Sequence, residues 1–226
     1  MEDLMDLSFL DEDFCEKSIK SKKTSDTLKK KAKEFLFENN IRQSIFTESD
    51  FLIINNVLTD LRLPKKKQQL RIRTQQQINL ISIVFKIIEI HKKIDELTIS
   101  TYTFNRKSLN SIIDLVKGKK ILKFNLLLSS SYSFRDAKYL AEVKELMILL
   151  SKKNHISFSM VWSHFKITLI KCGSDYYQHE GSMNYSTNNM AEQIVFENNK
   201  KNYDYDYEFL TKIIFDKKLK SIERII

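Results

Sequence analysis

Apolar residues in this chain recur at two different periods, and the alternation between them predicts most of its elements. Leu28, Ala32, Phe35 and Leu36 fall on one face of a helix that stops near Asn39-Asn40. Thr47 with Asp50 resembles a capping box, and Phe51, Ile54, Leu58 and Leu61 then mark a second helix that Pro64 ends. Lys65-Lys66-Lys67 opens a polar, basic linker. Ile81, Val84, Ile88 and His91 predict an amphipathic helix over residues 76–93. Leu97 to Phe104, rich in Thr, Ile and Tyr, reads as a strand. Lys107 to Val116 reads as a helix closed by Gly118. Ile121 to Leu128 is nearly all apolar, as a central parallel strand covered on both sides should be. A helix from Phe134 to Leu150 and a strand from Ile156 to Trp162 follow. Strands near 164–171, 175–179 and 192–197 and a helix from about Tyr205 to Lys217 finish the sheet. Strand and helix in alternation require crossovers, hence a layered α/β domain.

Charge adds a third pattern, at the N-terminus. Glu2, Asp3, Asp6, Asp11, Glu12, Asp13 and Glu16 come first, then Lys17, Lys20, Lys22, Lys23, Lys29, Lys30, Lys31 and Lys33. Such blocks read as a solvated arm, the other reading being an acidic tail that covers a basic site or recruits a partner. The expected organisation is a charged arm over 1–35, a helical extension and linker over 36–75, and the α/β domain over 76–226.

Composition sets the outer limits. The chain has 226 residues, 42% hydrophobic and 30% charged, enough for one full core. No apolar run reaches the roughly 18–20 residues of a membrane span, and the acidic N-terminus is unlike a secretory signal, so the expected setting is cytoplasmic and off the membrane. Cys15 and Cys172 suggest neither a disulfide framework nor a zinc site. A net charge of +9 favours polyanions, nucleic acid foremost, although a Lys-rich composition from an AT-rich genome accounts for part of it. Arg71 and Arg73, with Lys65 to Lys67, read as a solvated linker before a nucleic-acid path. Trp162 and Phe165 read as core or interface packing before base-stacking platforms, and Tyr203, Tyr205 and Tyr207 as docking the last helix.

Candidate chemistry concentrates between Ser163 and Phe196. His164 and Lys166 lie two apart, so on a strand they share a face. A turn, Gly181-Ser182-Met183-Asn184, and then Glu192 at the head of a strand follow. Cleaving a phosphodiester without a metal or other cofactor needs a nucleophile such as neutral imidazole, a proton donor for the leaving oxygen, and fixed cations and donors for the phosphoryl oxygens. His164 can attack, Lys166 and Asn184 can hold the phosphate, and Glu192 can orient the imidazole. Ser182 either bonds phosphate or stabilises the turn.

At these residues the chain resembles the phospholipase D superfamily, whose motif joins His-x-Lys to Gly-Ser-x-Asn and a late Glu. The resemblance implies a mixed sheet flanked by helices, preceded here by the small helical extension, and a metal-independent phosphodiesterase acting through a phosphohistidine. Lys171 stands where the family has an Asp, which weighs against lipid hydrolysis and leaves nuclease activity open. One motif per chain implies a homodimer with a composite site. The expectation is a nuclease cleaving DNA or RNA, the alternative an inactive relative that binds nucleic acid or serves in assembly.

Overall fold

The computed structural model describes residues 48–54, 56–74, 79–130, 137–151, 155–186, 191–215 and 223–225. All of them lie in the unit Ser44–Ile226. The charged arm, Cys15 and the helix expected over residues 25–39 lie outside the described residues.

Among the described residues, nine strands form one sheet: β1 (Glu48–Ile54), β2 (Gln68–Thr74), β3 (Glu96–Thr101), β4 (Lys123–Ser129), β5 (His155–Val161), β6 (Ile167–Cys172), β7 (Asp175–Gly181), β8 (Glu192–Asn198) and β9 (Glu223–Ile225). Their spatial order is β1-β2-β8-β7-β6-β3-β4-β5-β9. β3, β4 and β5 run parallel, joined by α3 (Arg106–Lys117) and α4 (Ala137–Ser151). β6 returns antiparallel beside β3, and β6, β7 and β8 form an antiparallel meander reaching β2. The remaining helices are the single turn α1 (Val57–Asp60), α2 (Ile81–His91) and α5 (Lys200–Phe215). This mixed sheet with helices on both faces is the architecture expected, and it is compatible with a phospholipase D-like fold.

β4 lies between β3 and β5 in the parallel part of the sheet. Phe124, Leu126 and Leu128 point into the core shared with α2, α3 and α4, while Leu127 faces Ile167, Leu169 and the α5 residues Tyr203, Leu210 and Ile214. Both faces are covered, which is why the strand reads as a nearly continuous apolar run, interrupted by the buried Asn125. Tyr203 is buried and Tyr207 accepts from Lys123 and donates to Glu96, so these two dock α5 as expected; Tyr205 faces solvent.

Four expectations are corrected. Residues 48–54 form strand β1, where a helix from Phe51 was expected: the run Phe51-Leu52-Ile53-Ile54 suits a pleated surface, and the helix is reduced to α1, capped by Asn56 accepting from Leu58 N–H. Asp50 caps no helix and pairs with Arg62 instead. The basic linker contains strand β2, whose Leu70 and Ile72 are fully buried while Arg71 and Arg73 face outward. At the end of α3, Gly118 takes φ −77° and the left-handed position falls to Lys119 at φ 54°.

Candidate active site

The groups singled out from the sequence collect at one end of the sheet, where β2, β3, β5 and β7 finish and β6 and β8 begin. Ends of strands are where open α/β sheets place ligands. His164 and Lys166 were expected on a strand, but residues 163–166 have no regular structure, because β6 begins at Ile167. The segment is anchored by Phe165, which packs edge-on against Phe209 of α5 at 5.4 Å. The residues on either side of that anchor meet each other. Lys166 Nζ lies 3.2 Å from His164 Nδ1, 3.4 Å from Nε2 and 3.3 Å from the His164 carbonyl oxygen. An ammonium can bond only a ring nitrogen that carries a lone pair, and the neutral imidazole that has one is also the nucleophilic form.

The second half of the site is built by alternating anchors. Met183 and Tyr185 are buried, and Tyr185 stacks on Phe104 at 4.6 Å while bonding Thr168 through its hydroxyl. Alternating with them, Ser182 is exposed and Asn184 half-buried. The Ser182 hydroxyl donates to the Glu192 carboxylate and accepts from the Gln193 N–H at 3.1 Å, tying the turn to the head of β8. Gly181 is required by that closeness: a Cβ on it would lie 2.3 Å from the Gln193 carbonyl oxygen.

Charge links the two halves. Burial lowers the Lys166 pKa below the usual lysine range, and the charges of Glu192 and Tyr102 partly restore it. Glu192 itself is buried.

Two residues at the site escaped the sequence reading. Thr101, the last residue of β3, donates from its hydroxyl to the Thr103 carbonyl oxygen at 3.0 Å, with the Asn184 side-chain oxygen a second acceptor at 3.3 Å. Tyr102 places its ring 4.8 Å from that of His164 and 5.8 Å from Lys166 Nζ. Their signal was position, at the carboxyl end of a strand, which becomes meaningful only once the strand order is known.

The other histidines are elsewhere. His179 is wholly buried in β7, where desolvation pushes its pKa down to about 3, so it stays neutral in the core. His91 bonds the Tyr177 hydroxyl, and His155 begins β5 at the opposite end of the sheet from the site. Lys171 is remote as well: it pairs in register with Glu96 at the far end of β6. Trp162 is 79% exposed, so it is not a core residue, and Cys172 is a buried thiol whose pKa burial pushes up to about 12. Among the described residues, no helix is long and apolar enough to cross a membrane.

No protein-family model matches the sequence, and no curated protein matches it. Among solved structures the chain is similar to TrmBL2, an archaeal chromatin protein reported to show a novel mode of DNA binding. The identity is 12% and the TM-score 0.41, over 88% of this chain and 63% of that one. It is also similar to polyphosphate kinase from Porphyromonas gingivalis, at 15% identity and a TM-score of 0.42, over 59% of this chain and 23% of that one.

Proposed function

We propose that the protein is a homodimeric, metal-independent phosphodiesterase that cleaves DNA or RNA through a phosphohistidine. The observation that carries this reading is the contact of Lys166 Nζ with the His164 ring at the same sheet end as the Ser182–Glu192 bond. This supports a site in which a nucleophile, a cation, an amide and a carboxylate act together, as metal-free phosphoryl transfer requires. An imidazole nitrogen of His164 attacks phosphorus and forms the N–P bond. The leaving oxygen departs with a proton from the His164 of a second copy. Water, deprotonated by that second imidazole, then attacks phosphorus and releases His164. Lys166 neutralises a phosphoryl oxygen. Asn184, beside the Thr101 hydroxyl, offers its amide nitrogen to the same group, while Ser182, whose proton goes to Glu192, holds the turn. Glu192 supports the imidazolium and keeps Lys166 charged. Tyr102 fixes the plane of the His164 ring.

The expected result is cleavage of nucleic acid in excess EDTA by purified protein and its loss, by at least about three orders of magnitude, in His164→Ala. Cleavage that survives this substitution, or that depends on added magnesium, would refute the assignment. Salt-sensitive binding without turnover on any strand form would instead identify a catalytically inactive nucleic-acid-binding or assembly protein.

A further inference from the structure

We propose that the outward face of β1 and β2 is a track for single-stranded nucleic acid that leads to the His164 site. The proposal rests on the nucleic-acid part of the functional reading and does not require cleavage.

From Leu70 onward β2 alternates, with Leu70 and Ile72 in the core and Arg71 and Arg73 exposed on the other side. The parallel register sets Phe51 beside Arg71 and Ile53 beside Arg73. Register partners share a sheet face, so the two apolar side chains stand next to the two guanidinium groups. Phe51 is 76% exposed and Ile53 73%, and exposed apolar side chains grouped in this way mark interaction surfaces. The result is two rows, each an apolar group next to an arginine. They are two residues apart along the strand, about 7 Å, which is close to the span of one nucleotide in an extended strand.

Both ends of the track are defined. At the far end the chain enters β2 through Lys65, Lys66 and Lys67, all exposed. At the near end Thr74 is in register with Glu192, and Arg73 with Gln193, whose N–H bonds Ser182. Across β8, Glu180 is in register with Val195, the partner of Arg71, so a carboxylate bounds the basic strip on that side. A phosphate backbone would therefore follow β2 and not cross the sheet.

Charge selects this occupant over a second copy. Isologous pairing of the face would set its arginines against their own symmetry mates, whereas a polyanion neutralises them. The aromatic ring selects a single strand over a duplex, because only unpaired bases expose a face on which Phe51 can stack.

The test is fluorescence anisotropy with a labelled oligo(dT) of about 15 nucleotides and a duplex of equal length. The protein is the full chain carrying His164→Ala, titrated between about 50 and 200 mM salt. The single strand is expected to bind more tightly than the duplex. Arg71→Ala with Arg73→Ala should weaken its binding tenfold or more and reduce the log–log salt slope by about 1.4. Phe51→Ala should weaken single-strand binding about tenfold while leaving the duplex unchanged. These side chains are exposed, so an unchanged thermal melt will show that the variants fold. Unchanged affinity and slope in the double arginine variant would overturn the track. So would a Phe51→Ala variant that loses a dimer seen by ultracentrifugation yet binds the single strand normally. Catalysis is judged separately: wild-type cleavage in EDTA with an unaltered arginine variant sinks the track alone, and normal track behaviour without cleavage sinks the enzyme alone.

Discussion

Gly181 is specified by its neighbour's backbone and not by its own torsions. Its φ is not in the left-handed region, unlike that of Gly173 at 58°, and the constraint is the 2.3 Å approach that any Cβ would make to the Gln193 carbonyl. Gly181→Ala is expected to cost about 1–3 kcal/mol in urea unfolding, because backbone, and not a yielding side chain, must move. An unchanged midpoint would show that β7 and β8 are less tightly joined than described. The same residue explains why this part of the site was legible in the sequence. Gly-Ser-x-Asn is a local string, and the close strand pairing that demands the glycine also presents Ser182 and Asn184. Thr101 and Tyr102 belong to the same site but were invisible, since nothing in the sequence of β3 says that its end will lie against His164.

At the scale of the element, α5 shows what it costs to lay a polar helix across a sheet. Asp206 accepts from Gln178 beneath the helix, and burial, followed by the charge of Glu180, pushes its pKa up to about 6. Burial raises the pKa of neighbouring Glu197 too. A folded pKa above the unfolded one means that the folded state binds the extra proton between about pH 4 and 6. Stability from this group is therefore greatest below pH 4 and falls as pH rises to 6. Asp206→Asn can still accept from Gln178 and never ionises. It should match the wild type near pH 4 and exceed it by roughly 2 kcal/mol at pH 7, as urea unfolding at both values will test. A variant less stable at pH 7 would show that the carboxylate is needed in its charged form. Elements were otherwise read well where burial was two-sided, as in β4. They were misread at the sheet edge: Phe51 and Ile54 of β1 happen to fall at helical spacing with Leu58 and Leu61. In β2 the alternation from Leu70 to Arg73 was masked by the three lysines before it.

For the whole molecule, the decisive quantity is the number of imidazoles per site. If one comes from each of two copies, a mixed dimer of wild type with His164→Ala has only one and is inactive. After subunit exchange at equal concentrations, activity should fall to about a quarter of the wild-type value at the same total concentration, because only wild-type pairs are competent. A fall to about a half would mean that each chain carries its own complete site. The sequence by itself determined the helix and strand order from Ile81 to Phe215, though not the short β9 after it, and singled out His164, Lys166, Ser182, Asn184 and Glu192, because periodicity and motif spacing are properties of neighbours along the chain. Tertiary structure decided what lies beside them: the entry of β1 and β2 into the sheet, Tyr102 against His164, and Phe51 next to Arg71. Those pairings arise from hydrogen-bond registers between strands distant in sequence, and the energy that selects a register is spread over the whole sheet and its core.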